Sequence, residues 1–512
     1  MLRHLIILSV LFWTQASAAK PCAARDVKNE QRIVCVCNAT YCDTVEPTTT
    51  SQLAGKTIRH YITSKAGKRL SVSTMAFASA EEKSTAAAMV TVMRDVKYQE
   101  IYGFGGAPTD SASYNIKLLS AALQEQVLKS YFGPEGIGYT FLRVPVAGCD
   151  FSLRYYEYDD NHAGDAQLKF FNLSNEDYLY KIPVIKRAQQ LAGSSLKLFS
   201  APWSAPEWMK NIVSTTKASS LKSQYYSTYA NYYVKFLQMY EKQGIKFWGL
   251  SPQNEPYNGL TSGGWNTMGW QPETLRNWLV SHLAPSLHAA GFNYLKIMVL
   301  DDSRGKMKLY ADLNFGNSTV SKLVHGGAYH WYDNNEQNLL SLAEIHKKFP
   351  DKFLLATEAC YFQRGSVGVI MGDWGRAAKY LSSIISDLSY WSNGWIEWNL
   401  ALDEKGGPSW FGNSADAPII TNKNAGEIYK QPMFYAIAHF SKFVVPGSHH
   451  VKSVLTQTTN LEAIAFQRPD NMMAVVLHNL GATQLEVVLK DSHKGEKTLQ
   501  LPAYSVSTVL YM

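Results

Sequence analysis

The chain has 512 residues, 46% of them hydrophobic and 18% charged. That is too apolar for a disordered chain and too long for one ordinary domain, so two or three packed units are expected. The formal charge of +7 is modest for this length, and without a basic run, an RNP-like motif or a zinc finger it does not point to nucleic acid as a partner.

From the amino terminus, Arg3 and His4 precede the apolar run Leu5–Trp13, and Ala16-Ser17-Ala18 supplies the small residues a signal peptidase needs. The run is too short to span a bilayer, so residues 1–19 are predicted to be a cleaved secretory leader. No later segment reaches the ~18 apolar residues of a membrane helix. Residues 20–50 hold Cys22, Cys35, Cys37 and Cys42, four of the six cysteines. Behind a leader this cluster predicts two local disulfides, with three connectivities open. Asn38, Asn172 and Asn317 each begin an N-x-S/T sequon and are candidate glycan sites.

Residues 51–96 look strand-like, with Lys65–Lys68 as a turn. Residues 447–512 alternate in short strands around the turn Pro469-Asp470-Asn471. Together the two stretches are expected to form a β-sandwich that braces the central region. That region, 97–446, alternates apolar β-rich runs with helix-like stretches such as Tyr226–Glu241 and Thr274–Ala284. The runs are Tyr98–Phe104, Tyr139–Val146, Leu196–Ser204, Phe247–Asn254, Leu295–Asp302, Gly326–Tyr332, Lys352–Glu358 and Gly394–Leu402. Eight strands alternating with helices predict an α/β fold, a closed (β/α)8 TIM barrel.

Such barrels work at the carboxyl ends of their strands. Run four ends in Asn254-Glu255-Pro256, and run seven in Thr357-Glu358-Ala359-Cys360. Two glutamates facing each other across a bound sugar are what retaining glycoside cleavage needs: one ionised to attack the anomeric carbon, one protonated for the leaving oxygen. Mutual repulsion of the pair supplies the protonated member. Other chemistries lack their motifs. Gly103-Phe-Gly105-Gly106 misses the dinucleotide fingerprint at Pro108, and there is no G-x-S-x-G elbow and no H-E-x-x-H zinc motif. His449-His450 is a bare pair without a third ligand. No metal or other cofactor is expected.

The motifs just quoted, together with Ile101–Asp110 (IYGFGGAPTD), Arg143–Asp150 (RVPVAGCD), Ala201–Pro206 (APWSAP), His330-Trp331-Tyr332, Cys35–Cys42 (CVCNATYC) and Lys430–Ala436 (KQPMFYA), resemble the acid glucosylceramidases of glycosyl hydrolase family 30. The resemblance spans essentially the whole mature chain and suggests an invertebrate-like or divergent member. It implies a retaining β-glucosidase of sphingolipid metabolism that splits glucosylceramide into glucose and ceramide, with Glu255 as acid/base and Glu358 as nucleophile. By the same resemblance Asp150 and Asn254 hydrogen-bond sugar hydroxyls, and Trp203 and Trp398 border the glucose. Arg143 organises carboxylates near the nucleophile, His330 and Tyr332 sit at the rim beside Glu358, and Asn413 lies near the entrance. The cysteine pairing it implies is Cys22–Cys35 and Cys37–Cys42, with Cys149 and Cys360 left as thiols at strand ends. A lysosomal location and a saposin-like activator protein are implied in the same way, and the basic charge suits an acidic membrane lipid surface, more so as the thirteen histidines protonate.

The entrance departs from the mammalian pattern at Ser303, at Gly264-Trp265-Asn266 and at Cys360-Tyr-Phe-Gln-Arg-Gly365, which touches the aglycone contacts rather than the glucose subsite. Neighbouring readings are an endo-acting β-glycanase, a sterol glucosyltransferring enzyme, and a catalytically silent carbohydrate- or lipid-binding protein.

Overall fold

A computed structural model describes residues 19–77, 88–213, 218–261, 266–363, 368–456 and 460–512. The predicted leader, except its last residue, lies outside the described residues, as do Gly264-Trp265 and Arg364-Gly365 of the entrance segments.

Eight parallel strands close into a barrel: β1 (Gly103–Ala107), β2 (Phe141–Val146), β3 (Lys197–Pro202), β4 (Gly249–Leu250), β5 (Lys296–Ser303), β6 (Gly326–His330), β7 (Phe353–Glu358) and β8 (Ser392–Asn399), with β8 pairing back onto β1. Most are buried along their whole length, because helices cover the outside and side chains fill the inside. Phe141, Phe199, Met298, Phe353, Leu355 and Ile396 meet as an apolar plug within the ring. The expected helices are present at Tyr226–Lys242 and from Pro272 to Ala289.

The first predicted run straddles two elements. Tyr98–Glu100 end the long strand Ala88–Glu100, whereas β1 begins at Gly103. The glycines of β1 explain why its pattern is faint: a Cβ on Gly105 would stand 2.1 Å from the Phe141 carbonyl oxygen, so close pairing with β2 demands a residue without a side chain.

The strand Ala88–Glu100 belongs to the accessory unit. There nine strands form one continuous ladder, with Ala88–Glu100 between Leu485–Asp491 and His449–Thr456, and with Thr57–Ser64 and Ser71–Ala76 at the far edge. Side chains from across the ladder share one core, among them Ile58, Val90, Val475, Leu489 and Leu501, so the sheet folds over into a sandwich. In its strand Ser505–Tyr511, Val509 and Tyr511 enter that core, while Val506 and Leu510 pack into the barrel-side core. At this seam barrel His439 lies 2.8 Å from each of the Thr63 and Thr508 hydroxyls.

The amino-terminal strands Ala24–Asp26 and Ile33–Asn38 extend a small sheet made by Glu427–Lys430, Ile419–Asn422 and Ala401–Asp403, excursions of the barrel chain. Cys22–Cys35 and Cys37–Cys42 are disulfide-bonded, and Cys149 and Cys360 are buried thiols. Asn38, Asn172 and Asn317 are all exposed.

Peptide mapping without reduction should recover the two amino-terminal pairs. Cys149, fully buried, should resist alkylation in the native protein and react only after unfolding. A disulfide involving Cys149 or Cys360 would contradict this arrangement.

Candidate active site

The carboxyl ends of the strands bring the candidate residues together, and local irregularities aim them. β5 breaks register with β6 between Leu300 and Asp302, where Leu300 and Asp301 adopt φ of 80° and 56°. This bulge turns Asp301 into the barrel. A second register shift, after Tyr329, sets His330 opposite Glu358. Glu255, beyond β4, has φ of 43°, and its N–H donates to the Asp301 carbonyl at 2.8 Å. Left-handed conformations of this kind cost energy in non-glycine residues and persist where the surroundings hold them.

Carboxylate oxygens of Glu255 and Glu358 and a ring nitrogen of His330 all lie within 4.8 Å of one another. Arg143, fully buried on β2, donates to Glu358, to Asn254 Oδ1 at 2.6 Å and to Asp301 Oδ2 at 2.9 Å. His330 sits 3.1 Å from Glu255 Oε1 through Nδ1 and 3.1 Å from Asp301 Oδ1 through Nε2. Thr357 donates to Asp301 at 2.7 Å, and the Tyr332 hydroxyl donates to Glu358 Oε1 at 2.7 Å.

Burial alone would drive protons off His330, but Glu358, Asp301 and Glu255 outweigh it and raise its pKa to about 10. Burial likewise opposes charge on Asp301, yet Arg143 first and His330 next hold it below the usual carboxylate range. Arg143 stays charged for the reciprocal reason. Both ring nitrogens of His330 face carboxylate oxygens, which joins Glu255, His330 and Asp301 in one hydrogen-bonded network.

Above the network is a cavity of about 300 Å³ lined by Asp150, Trp203, Asn254, Glu255, Tyr332, Glu358, Trp398 and Asn413 among others. Trp203 and Trp398 stack with centroids 5.2 Å apart, and the Arg143 guanidinium lies 4.9 and 5.2 Å from the two rings. Asn413 Nδ2 donates to Asp150 Oδ2 at 2.8 Å. Burial, followed by the nearby Glu358 charge, pushes the Asp150 pKa up to about 7 against that hydrogen bond.

Two expectations need correction. His330 is not at the rim: it is fully buried beneath both glutamates and does not line the cavity. Asn266 is not an entrance residue either, because its Nδ2 is tied to the Gly148 carbonyl and to Glu157 in the interior. Ser303, Cys360 and Phe362 do line the cavity, whereas Tyr361 packs beside Arg376 and Lys379. Sequence reasoning missed Asp301, Thr357 and Asn258, whose Nδ2 donates to Glu255 Oε2 at 2.5 Å. A polar residue at a barrel strand end was the available signal for the first two. Asn258 lies in a following turn and carries no such mark.

Residues 101–444 match the glycosyl hydrolase family 30 TIM-barrel domain, and residues 447–509 match the family's beta sandwich domain. The chain is 41% identical to putative glucosylceramidase 4 of Caenorhabditis elegans, over 93% of this chain and 92% of that one. It is 38% identical to the lysosomal acid glucosylceramidase of Mus musculus, over 97% and 96% of the two chains. Among solved structures, SrfJ from Salmonella typhimurium superposes with a TM-score of 0.81 at 27% identity, covering 89% of this chain and 99% of that one.

The raised Asp150 pKa carries a stability consequence. A carboxyl whose folded pKa exceeds its unfolded value near ~3.9 costs nothing below that value, and the cost grows until the pH passes about 7. Asp150→Asn should therefore be more stable than the parent at pH 7.5, by on the order of 1–2 kcal/mol after solvent screening in an open cavity. The gain should vanish near pH 4. Thermal melts at the two pH values check this, and a difference independent of pH would count against it.

Proposed function

The chain belongs to glycosyl hydrolase family 30, and from that premise we propose that it is a retaining β-glucosidase releasing glucose from glucosylceramide, with Glu358 as nucleophile and Glu255 as acid/base. The observation that carries the reading is the carboxylate pair within 4.8 Å at the barrel mouth. Retaining enzymes hold their carboxyl groups roughly 5 Å apart, while inverting enzymes need about 6.5–9.5 Å to admit a water.

The two glutamates are supported differently. Glu358 accepts from Arg143 and Tyr332, which hold it in place. Arg143 pairs with Asp301 and Glu358, and His330 lies between Asp301 and Glu255. In the first step Glu358 attacks C1 of glucose while Glu255 gives its proton to the ceramide oxygen. In the second, Glu255 takes a proton from water as the water displaces Glu358 from C1. Asn254, whose Oδ1 is occupied by Arg143, offers its amide N–H groups to the 2-hydroxyl. Asp150, Asn413 and the stacked tryptophans enclose one ring, which favours a glucosidase over an endo-acting enzyme with a long cleft.

Tyr332 and Phe362 are each 42% exposed at the mouth, beside Lys306. An aromatic rim with a cation, on a chain of net charge +7, suits docking on an acidic lipid surface. No described helix is long and apolar enough to cross a membrane. In this proposal the enzyme takes its substrate from a bilayer surface, in the lysosomal lumen and with help from a saposin-like activator.

Hydrolysis of glucosylceramide in vesicles with and without phosphatidylserine tests the reading. Glu358→Gln should leave no measurable turnover while the protein still folds. Glu255→Ala should lose roughly 10²–10⁴-fold on glucosylceramide and far less on an activated aryl glucoside. Anionic vesicles should be the better substrate, increasingly so at low salt. An active Glu358→Gln enzyme, or equal loss on both substrates in Glu255→Ala, would sink the assignment.

A further inference from the structure

Glu255 is held at both carboxyl oxygens by two different elements. Oε1 faces His330 Nδ1 at the end of β6, and Oε2 accepts from Asn258 Nδ2 at 2.5 Å. Asn258 opens the short helix Asn258–Thr261, three residues beyond the glutamate, and its backbone N–H donates to the Glu255 carbonyl at 3.1 Å. The left-handed turn at Glu255 folds the chain back far enough for this contact, and Tyr257 N–H is tied to the Asp302 carboxylate at 3.3 Å. The Asn258 side chain lines the same cavity as the two glutamates.

Donors face both oxygens of the Glu255 carboxyl group, His330 Nδ1 at Oε1 and Asn258 Nδ2 at Oε2. Together they fix its plane and aim, while a second lone-pair site on either oxygen can carry the proton. Oε1 is the oxygen on the Glu358 side, since His330 Nδ1 reaches both it and, at 3.8 Å, Glu358 Oε1. When that proton departs, the Asn258 bond becomes charge-assisted and strengthens, which makes it worth more in the transition state than in the resting enzyme.

We infer that Asn258 is a positioning residue for the acid/base, fixing the Glu255 carboxyl group and steadying the carboxylate that forms. The inference rests on the reading of Glu255 given above. In glycosylation the O–H bond of the Glu255 carboxyl breaks and its proton goes to the glycosidic oxygen, as the bond from C1 to that oxygen opens and the bond from C1 to Glu358 forms. In deglycosylation water bonds to C1, the Glu358 bond breaks, and a water proton returns to the Glu255 carboxylate.

The test compares Asn258→Ala and Asn258→Asp with the parent on octyl β-glucoside, a poor leaving group, and on 2,4-dinitrophenyl β-glucoside, which needs no acid. On the octyl glucoside kcat should fall roughly tenfold in Asn258→Ala, a part of the whole general-acid effect, with KM little changed. The loss should be much smaller on the dinitrophenyl glucoside. Asn258→Asp keeps the shape but replaces the donor with a charge, so it should be at least as impaired as Asn258→Ala; a space-filling role predicts the reverse. In a Glu255→Ala background neither substitution should add a further loss. Equal losses on both substrates, no loss on either, or an Asp variant better than the Ala variant would overturn the role of Asn258. If Glu255→Ala itself left octyl glucoside turnover intact, the reading of Glu255 would fall instead. Melting curves for each variant separate these effects from loss of fold.

Discussion

The buried guanidinium of Arg143 is the interaction on which the rest of the site depends. An unpaired charge inside a barrel costs several kcal/mol, and removing one partner of a buried pair is among the most damaging changes a protein can suffer. Arg143 avoids that cost by sharing its protons among Glu358, Asp301 and Asn254 while its flat faces lie against Trp203 and Trp398. One side chain thereby ties β2 to the residues after β3 and β4 and to the carboxyl-terminal parts of β5, β7 and β8. The proposed nucleophile, the amide beside the proposed acid and the walls of the sugar cavity are all positioned against the same rigid plane.

His330 continues that network from the other side. Its position between Asp301 and Glu255 links the two glutamates through a charged ring that cannot rotate without losing both partners. The bulge at Leu300–Asp301 and the left-handed turn at Glu255 are the conformational cost of the arrangement, and they sit where β4, β5 and β6 deliver their side chains to the mouth. The raised Asp150 pKa belongs to the same account: a carboxyl enclosed beside Glu358 costs stability near neutral pH at a position proposed to hydrogen-bond the sugar.

Much of this was legible in the sequence because it is written in period and spacing. Strands buried on both faces leave apolar runs, so β2 to β8 could be counted before any coordinate was known. Glu255 and Glu358 stand out because the first directly follows such a run and the second ends one. The disulfide pairing and the individual sugar contacts rested on the resemblance, since spacing alone left three pairings open. β1 was misplaced because the glycines that permit its tight pairing carry no apolar signal, while the strand beside it carries a strong one that serves the sandwich. The resemblance puts His330 at the rim with Tyr332, whereas a register shift after Tyr329 sets it opposite Glu358 and buried. Asp301 and Asn258 depend on backbone turns that period-based reasoning does not see.

The central claim is that Glu358 attacks the anomeric carbon and that Glu255, within 4.8 Å, serves as its acid/base partner. The most direct measurement is covalent trapping with a 2-deoxy-2-fluoro-β-glucosyl fluoride, which forms the glycosyl-enzyme quickly and releases it slowly. Digestion and mass spectrometry should find one fluoroglucosyl group per chain, on the peptide carrying Glu358. A label on any other residue, or steady inversion of anomeric configuration with no covalent adduct, would contradict the account.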